Sequence, residues 1–504
     1  RMACLTVGDS GAAVILERNT NPEVGFHSLH MFTESELCRN CIAHFTDQVH
    51  GGAIMYVESV KAAASAIQPG ARLVLDAILR QNWLPEVRFD HLLMHQTSST
   101  TISDARREIN SLYQHIIATP ENTIDNIAHR GNTATTSHWV AIVDKVRRGQ
   151  MQSGDRVVFG ISGSGHTLGA ALYTFDDLPD RILHNRPNQR PANGQQAPAL
   201  PATRWKAPVP RISIAGLGLS APEGTPADAL EMAKRAAAAC IRQSGYHKPE
   251  IGLVIHTGNY RNKFLSEPAV AALVAGDLGI NPHPDSESHN KSFAFDLLNG
   301  AGGFLEACYT AIQMMQAGKY NTALVTASEI ENNLDFRPDM LLGIQETGSA
   351  MMLHHDPSGQ SGFGNFYMKG FPAYLDTLDI YMTWKGRESF LNFIRNPNLE
   401  SYYAACLREA TRAFLEAEGL TLADIHWIVP PQISASWIRQ LGSELGTDAS
   451  RMVVVPDTGG DLYTSSLPYA LNHLMQTQQP APGQRALLLS VSSGIQVGCA
   501  LYHF

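Results

Sequence analysis

Four short landmarks occur twice in this chain, in one order. GDSGAAVIL at Gly8 to Leu16 is echoed by QETGSAMML at Gln345 to Leu353. LMHQTSS around His95 is echoed by VPPQISA around Pro431, and GNTATTS from Gly131 by GDLYTSS from Gly460. SGSGHTLGAALYTF around Gly169 is echoed by SVSSGIQVGCALYHF around Gly498. Gly8 to His95 is 87 residues and Gln345 to Pro431 is 86, while Asn132 to Gly169 and Asp461 to Gly498 are both 37. Only the middle interval differs, 37 against 30, and an insertion near residues 118–126 absorbs it. Shared order and spacing imply a duplicated domain. The second copy is preceded by about 135 residues of its own, from Arg211 to Gln345, that have no counterpart before Gly8.

A length of 504 residues suggests two or three domains. With 44% hydrophobic and 17% charged residues, a large core is expected. The net charge of −9 argues against a polyanion-binding surface, so no nucleic-acid partner is expected. There is no apolar run long enough for a membrane span, and RMACLTV lacks the layout of a secretory signal. Seven scattered cysteines fit a reduced, cytoplasmic protein. Cys38 and Cys41 form an isolated CxxC, read as ordinary thiols, so no metal site is expected.

Residues 186–210, rich in Pro, Ala and Gln, read as a linker between residues 1–185 and 211–504. After it, strands are expected in RISIAGLGLSAP, IGLVIHTG and YNTALVTASE, and helices over 222–245 and 304–318. Both copies end alike: a helix (56–80; 399–418), a strand (90–94; 427–429), a second helix, a short strand, a third helix (137–148; 466–477) and a β-hairpin. The Gly-Ser turn of the hairpin lets backbone approach a site closely. Such alternation predicts an α/β fold with helix-covered sheets.

Together these landmarks resemble the thiolase superfamily, in particular its ketoacyl-ACP synthase III branch. HQ at His95–Gln96, GNT from Gly131, SGSGHTLG from Ser162, AFDLLNGAGGFLEA from Ala294 and GDSGAA from Gly8 carry the resemblance. It implies a five-layered α-β-α-β-α fold, here as a pseudo-dimeric tandem, with GDSGAA forming a strand. It also implies a Cys-His-Asn centre, in which a thiolate takes an acyl group and His and Asn donate hydrogen bonds to the thioester oxygen.

On that resemblance the second copy departs at each catalytic position. Ala301 stands for the cysteine, Pro431 for the histidine and Asp461 for the asparagine. Alanine cannot form a thioester, proline has no side-chain donor, and an ionised carboxylate repels a developing oxyanion. Cys308, seven residues beyond Ala301, reads as core. The first copy keeps His95 and Asn132 as candidate catalytic residues, with Gly163, Ser164 and Gly165 as the Gly-rich turn. Its cysteine-bearing half is not in evidence, since Cys4 lies on the strand before GDSGAA. A partner polypeptide carrying that half is therefore expected.

The expected function is acyl transfer: condensation of an acyl thioester with a second acyl group or a small nucleophile. Acyl-CoA or the phosphopantetheine of an acyl carrier protein serves as substrate, and no cofactor is bound permanently. The alternative is a non-catalytic subunit that scaffolds or gates a partner ketosynthase; hydrolysis at the same site is a third reading. Phe264 is the candidate wall of an acyl tunnel across a two-fold interface.

Overall fold

Strands buried on both faces need apolar side chains at successive positions, and the hairpin sequences VVFGI and ALLLSV supply them. The computed structural model describes residues 7–86, 88–184, 211–224, 226–280, 291–356 and 358–504; the expected linker and Cys4 lie outside the described residues. The chain divides into two compact units. Unit 1 takes in described residues 7–42 and 55–184, and unit 2 takes in 43–54 and 211–504. The expected first domain, 1–185, includes residues 43–54, yet they belong with unit 2. There the Ala43 amide donates to the Glu267 carbonyl at 2.8 Å, and the Phe45 ring meets Phe264 edge-on at 5.4 Å and Trp384 at 5.7 Å.

Among its described residues unit 2 contains two large sheets beside the hairpin Leu378–Lys385 with Glu388–Arg395. One has the order Ile212–Ser220, Thr347–His355, Thr322–Glu329, Leu253–His256, Phe293–Asp296. The other runs Gly362–Gly370, Gln496–His503, Arg485–Ser492, Trp427–Val429. Helices Gly303–Gln316 and Ser466–Thr477 lie between them. Phe304, Cys308, Ile312, Leu471 and Leu474 pack with Val325 and Met351 of the first sheet and with Leu488 and Ala500 of the second. Alternate residues of that second sheet, Leu487, Leu489, Cys499 and Leu501, point the other way, onto helices Leu399–Glu418 and Ala435–Leu445. Helix Ala229–Ser244 covers the outer face of the first sheet. The result is five layers, α-β-α-β-α.

Unit 1, among its described residues, has one four-stranded sheet: Gly25–Thr33, Thr167–Thr174, Arg156–Gly163, His91–Met94. Its strand order and directions match the second sheet of unit 2. The first two pairs in each order are antiparallel, and in the last pair His91–Met94 runs parallel to Arg156–Gly163 as Trp427–Val429 does to Arg485–Ser492. Val74, Ile78 and Ile109 cover one face on Val158 and Leu172; Ile142 and Val146 cover the other on Val157 and Ala171.

Three expectations are corrected. The helix read over 222–245 covers only Ala229–Ser244, because Pro222 and Pro226 favour extended backbone before it and Asp228 caps it, accepting from the Glu231 amide at 3.0 Å. Asp228→Ala is expected to cost about 1 kcal/mol in urea unfolding, the usual value of such a cap. The short strand after the second helix is in each copy a single bridge, Leu92 with Thr123 and Ile428 with Met452.

The third correction concerns GDSGAAVIL, which forms no strand. Val7 and Gly8 pair with the Asn132 turn, but residues 9–19 are irregular. Val14, Ile15 and Leu16 are 45%, 95% and 74% exposed. Their counterpart, Thr347–His355, is hydrogen-bonded on both sides, to Thr322–Glu329 and Ile212–Ser220. A strand needs neighbours for its amides and carbonyls, and residues 9–19 join none of the sheets among the described residues. Cys38 is buried and Cys41 half-buried, and no cluster of His, Cys, Asp and Glu able to hold a metal is found among the described residues. No described helix is long and apolar enough to cross a membrane.

Candidate functional site

His95 follows the strand His91–Met94, where its amide donates to the Gly160 carbonyl at 2.8 Å and anchors it to the neighbouring strand. Gln96, 2% exposed, holds the chain there. Its amide Nε2 donates to the Met94 carbonyl at 2.7 Å and the Ile124 carbonyl at 3.2 Å, while Oε1 accepts from the Asn126 amide at 2.7 Å. Ser98 then caps the next helix, accepting from the Thr101 amide. His95 Nδ1 lies 2.9 Å from Ser137 Oγ, at the start of helix Ser137–Arg147. Its ring stacks on His138 with centroids 6.0 Å apart, and His138 Nε2 is 3.1 Å from the Gly160 carbonyl.

Burial, and then the neighbouring His138, lower the His95 pKa to about 4, so the ring is neutral at ordinary pH. When the Ser137 hydroxyl donates to Nδ1, the ring proton is on Nε2. That tautomer donates to an oxygen on which negative charge develops. The ring borders a cleft with about 450 Å³ of empty space, walled by Ile67, Gly70, Ile102, Ala105 and Leu168.

Asn132 lies in the turn before helix Ser137–Arg147. Its Oδ1 accepts from the Ala134 amide at 2.9 Å, which holds Ala134 at a left-handed φ of 50°. Nδ2 makes no hydrogen bond with the described residues, leaving a donor to spare. The turn is braced from behind: Asp144 accepts from Arg130 Nε and Nη2, both at 2.8 Å, and from Asn126 Nδ2 at 2.9 Å. Arg130 and Asn126 hold the Asp144 carboxyl down at about 2 against the cost of burial. A depressed carboxyl adds stability above its unfolded value of 3.8 that is lost as pH falls through about 2. Asp144→Asn is therefore expected to cost about 1–2 kcal/mol at neutral pH and little near pH 2, read from urea unfolding at both values.

No hydrogen bond joins His95 to Asn132, and Asn132 does not line the His95 cleft. Nor do Gly163, Ser164 or Gly165. A Cβ at Gly163 would meet nothing within 4 Å, so the turn approaches no other part of the described chain there; Gly165 serves instead through its φ of +81° in the tight hairpin turn. Gly8 is the position where close approach matters: a Cβ would come within 2.1 Å of the Arg130 carbonyl oxygen.

The counterpart positions of unit 2 do meet. Ala301, Pro431 and Asp461 line one cavity with about 660 Å³ of empty space. Its backbone frame repeats that of unit 1. Gln432 donates to the Pro430 and Val453 carbonyls and accepts from the Val455 amide, all within 3.1 Å. Asp461 Oδ1 accepts from the Tyr463 amide at 2.8 Å, with Tyr463 at φ 46°. Desolvation raises Asp461 to about 6. Cys308 is fully buried beside Met351, and burial pushes its thiol far up, so it is no nucleophile. Phe264 packs with the cluster of Tyr260, Ile344 and Leu391 rather than on the cavity lining.

Ser137 and Gln96 received no role from sequence reading. The signal that finds them is the repeat itself: serine stands five residues after both Asn132 and Asp461, and glutamine one residue after both His95 and Pro431.

The model for the 3-oxoacyl-[acyl-carrier-protein] synthase III C terminal matches residues 79–175 and again 415–504. The chain is 25% identical over 277 residues to the beta-ketoacyl-[acyl-carrier-protein] synthase III of Acholeplasma laidlawii, covering 54% of this chain and 82% of that one. To the protein of the same description from Rhodospirillum centenum it is 27% identical over 289 residues, with the same coverage. Among solved structures, Xanthomonas campestris OleA with bound lauric acid and lauroyl-CoA superposes with a TM-score of 0.50 at 17% identity, covering 58% of this chain and 99% of that one.

Proposed function

We propose that this chain, a thiolase-fold, ketoacyl-ACP synthase III-like protein, contributes the oxyanion side of an acyl-condensing centre from unit 1. His95 Nε2–H and Asn132 Nδ2–H are the donors to the thioester oxygen. The attacking thiolate comes from a cysteine on a segment outside these 504 residues, which also supplies the strands that flank residues 9–19. The acyl group passes from a CoA or carrier-protein thioester to that cysteine, and then to a second acyl group or small nucleophile. Unit 2 takes no part in acyl capture, having Ala301 for the thiol.

One observation carries this reading: a neutral imidazole beside Ser137 and bordering an apolar cleft, in the unit whose irregular apolar segment Val14–Leu16 lies uncovered. A neutral ring can give a hydrogen bond in an apolar cleft without needing a counter-ion. Uncovered apolar area costs about 25 cal/mol per Å², so those residues call for a facing layer.

The test is acyl capture. The complete assembly, purified from its source, is incubated with an acyl-CoA and then with an acyl carrier-protein thioester, and its peptides are weighed. A thioester adduct on a cysteine of an associated segment, with condensation product formed, is the expected result. No adduct on any associated chain would make the chain a non-catalytic scaffold for a partner ketosynthase. An adduct released only to water would make the reaction hydrolysis.

A further inference from the structure

The unit 2 cavity has lost the family's nucleophile and both oxyanion donors, yet it has not been filled. Core positions that lose a function are usually repacked, because an empty apolar cavity is destabilising. Here open space remains beside the altered positions Ala301, Pro431 and Asp461. Its apolar wall is formed by Ile344, Ile380, Phe393, Leu399, Ile433 and Val491.

Polar groups converge at one end. Tyr260 and Tyr463 hydroxyls are 3.4 Å apart, and Tyr463 Oη lies 3.3 Å from where a Cβ on Gly300 would sit, beside Ala301. Tyr403 completes the ring of hydroxyls. Ser492 lines the same cavity, is 2% exposed, and its Oγ has no hydrogen-bond partner. Asp461 spends Oδ1 on the Tyr463 amide, and Oδ2 accepts no hydrogen bond from the described residues. A buried, unpartnered hydroxyl and an unused carboxylate oxygen facing one apolar space ask for a ligand with a donor group.

We propose that the unit 2 cavity is a non-covalent binding site for an amphipathic small molecule with an apolar body and a hydroxyl or amino end, which donates to Asp461 Oδ2 with Ser492 and the tyrosine hydroxyls around it. Replacement of asparagine by Asp461 reverses the polarity of the site. A group that donated to an acyl oxygen becomes one that accepts from an alcohol or amine, while Arg395 on the same lining is already ion-paired with Glu400 at 3.0 Å. Ala301 provides room where a thiol would stand and removes the means of covalent capture. The site is independent of the chemistry proposed for unit 1.

Calorimetric titration of the intact chain with 1-octanol, octylamine and octanoate tests this, since the three share a body and differ only at the head. Octanol and octylamine are expected to bind at one site per chain, and octanoate about tenfold or more weakly. Asp461→Asn keeps the acceptor for the Tyr463 amide. It is expected to weaken octylamine about tenfold and to strengthen octanoate, because it restores a donor. Ala301→Phe and, independently, Pro431→Trp fill the space and should abolish the site, with circular dichroism confirming that each variant is folded. Octanoate binding best, an octylamine affinity indifferent to Asp461→Asn, or binding that survives both cavity-filling changes in folded protein would each overturn the proposal. So would the absence of octanol and octylamine binding at millimolar concentration.

Discussion

Replacing His95 with alanine is expected to lower condensation by the complete assembly about 10²–10³-fold, the usual loss when one oxyanion donor is removed. The loss should fall mainly on kcat, because the hydrogen bond strengthens as charge builds on the thioester oxygen. The variant leaves the strand end intact, since the anchor to Gly160 is a backbone bond and Gln96 remains. Stopped assays with an acyl-CoA primer measure it. A variant within about threefold of the parent would remove His95 from the chemistry. The pH profile adds a second readout. The folded ring titrates at about 4, so no His95 inflection is expected near the ordinary value of 6.5. Linkage gives the matching stability effect. The unfolded chain binds the proton first, so His95 lowers stability progressively as pH falls from 6.5 to about 4, and His95→Ala flattens that slope.

Gln96→Leu is expected to destabilise unit 1 by about 3–5 kcal/mol. It leaves the Met94 and Ile124 carbonyls and the Asn126 amide without their partner, and each unpaired buried group costs about 1–3 kcal/mol. Urea unfolding followed by tryptophan fluorescence reports the change, because Trp83 and Trp139 both belong to unit 1. Gln432→Leu should do the same in unit 2, where the three partners are Pro430, Val453 and Val455. Gln96→Glu keeps an acceptor for the Asn126 amide and should recover part of the loss. A cost below about 1 kcal/mol in both leucine variants would mean that the loop relaxes to pair these groups otherwise.

Much of the architecture was legible in the sequence because it depends on local pattern. The helices Leu399–Glu418 and Ser466–Thr477 and the strand Trp427–Val429 begin and end where their apolar periods do. The helix before Ser244 was read too long because its composition favours a helix, while prolines and the Asp228 cap decide where one can start. The strand expected in GDSGAAVIL did not form, although its counterpart in unit 2 did. Strand formation rests on neighbours that a linear pattern does not reveal.

The repeat made it possible to name Ala301, Pro431 and Asp461 as one altered set, since matched spacing fixes corresponding positions before any contact is known. The chain order of residues also determined which unit kept His95 and Asn132. Only the tertiary structure decided that Ser137 would meet His95, that His138 and burial would keep the ring neutral, and that the altered positions would surround open space. These properties arise from residues far apart in sequence brought within a few ångströms. Their desolvation and unpaired atoms depend on how sheets and helices pack within each unit, which no local pattern encodes.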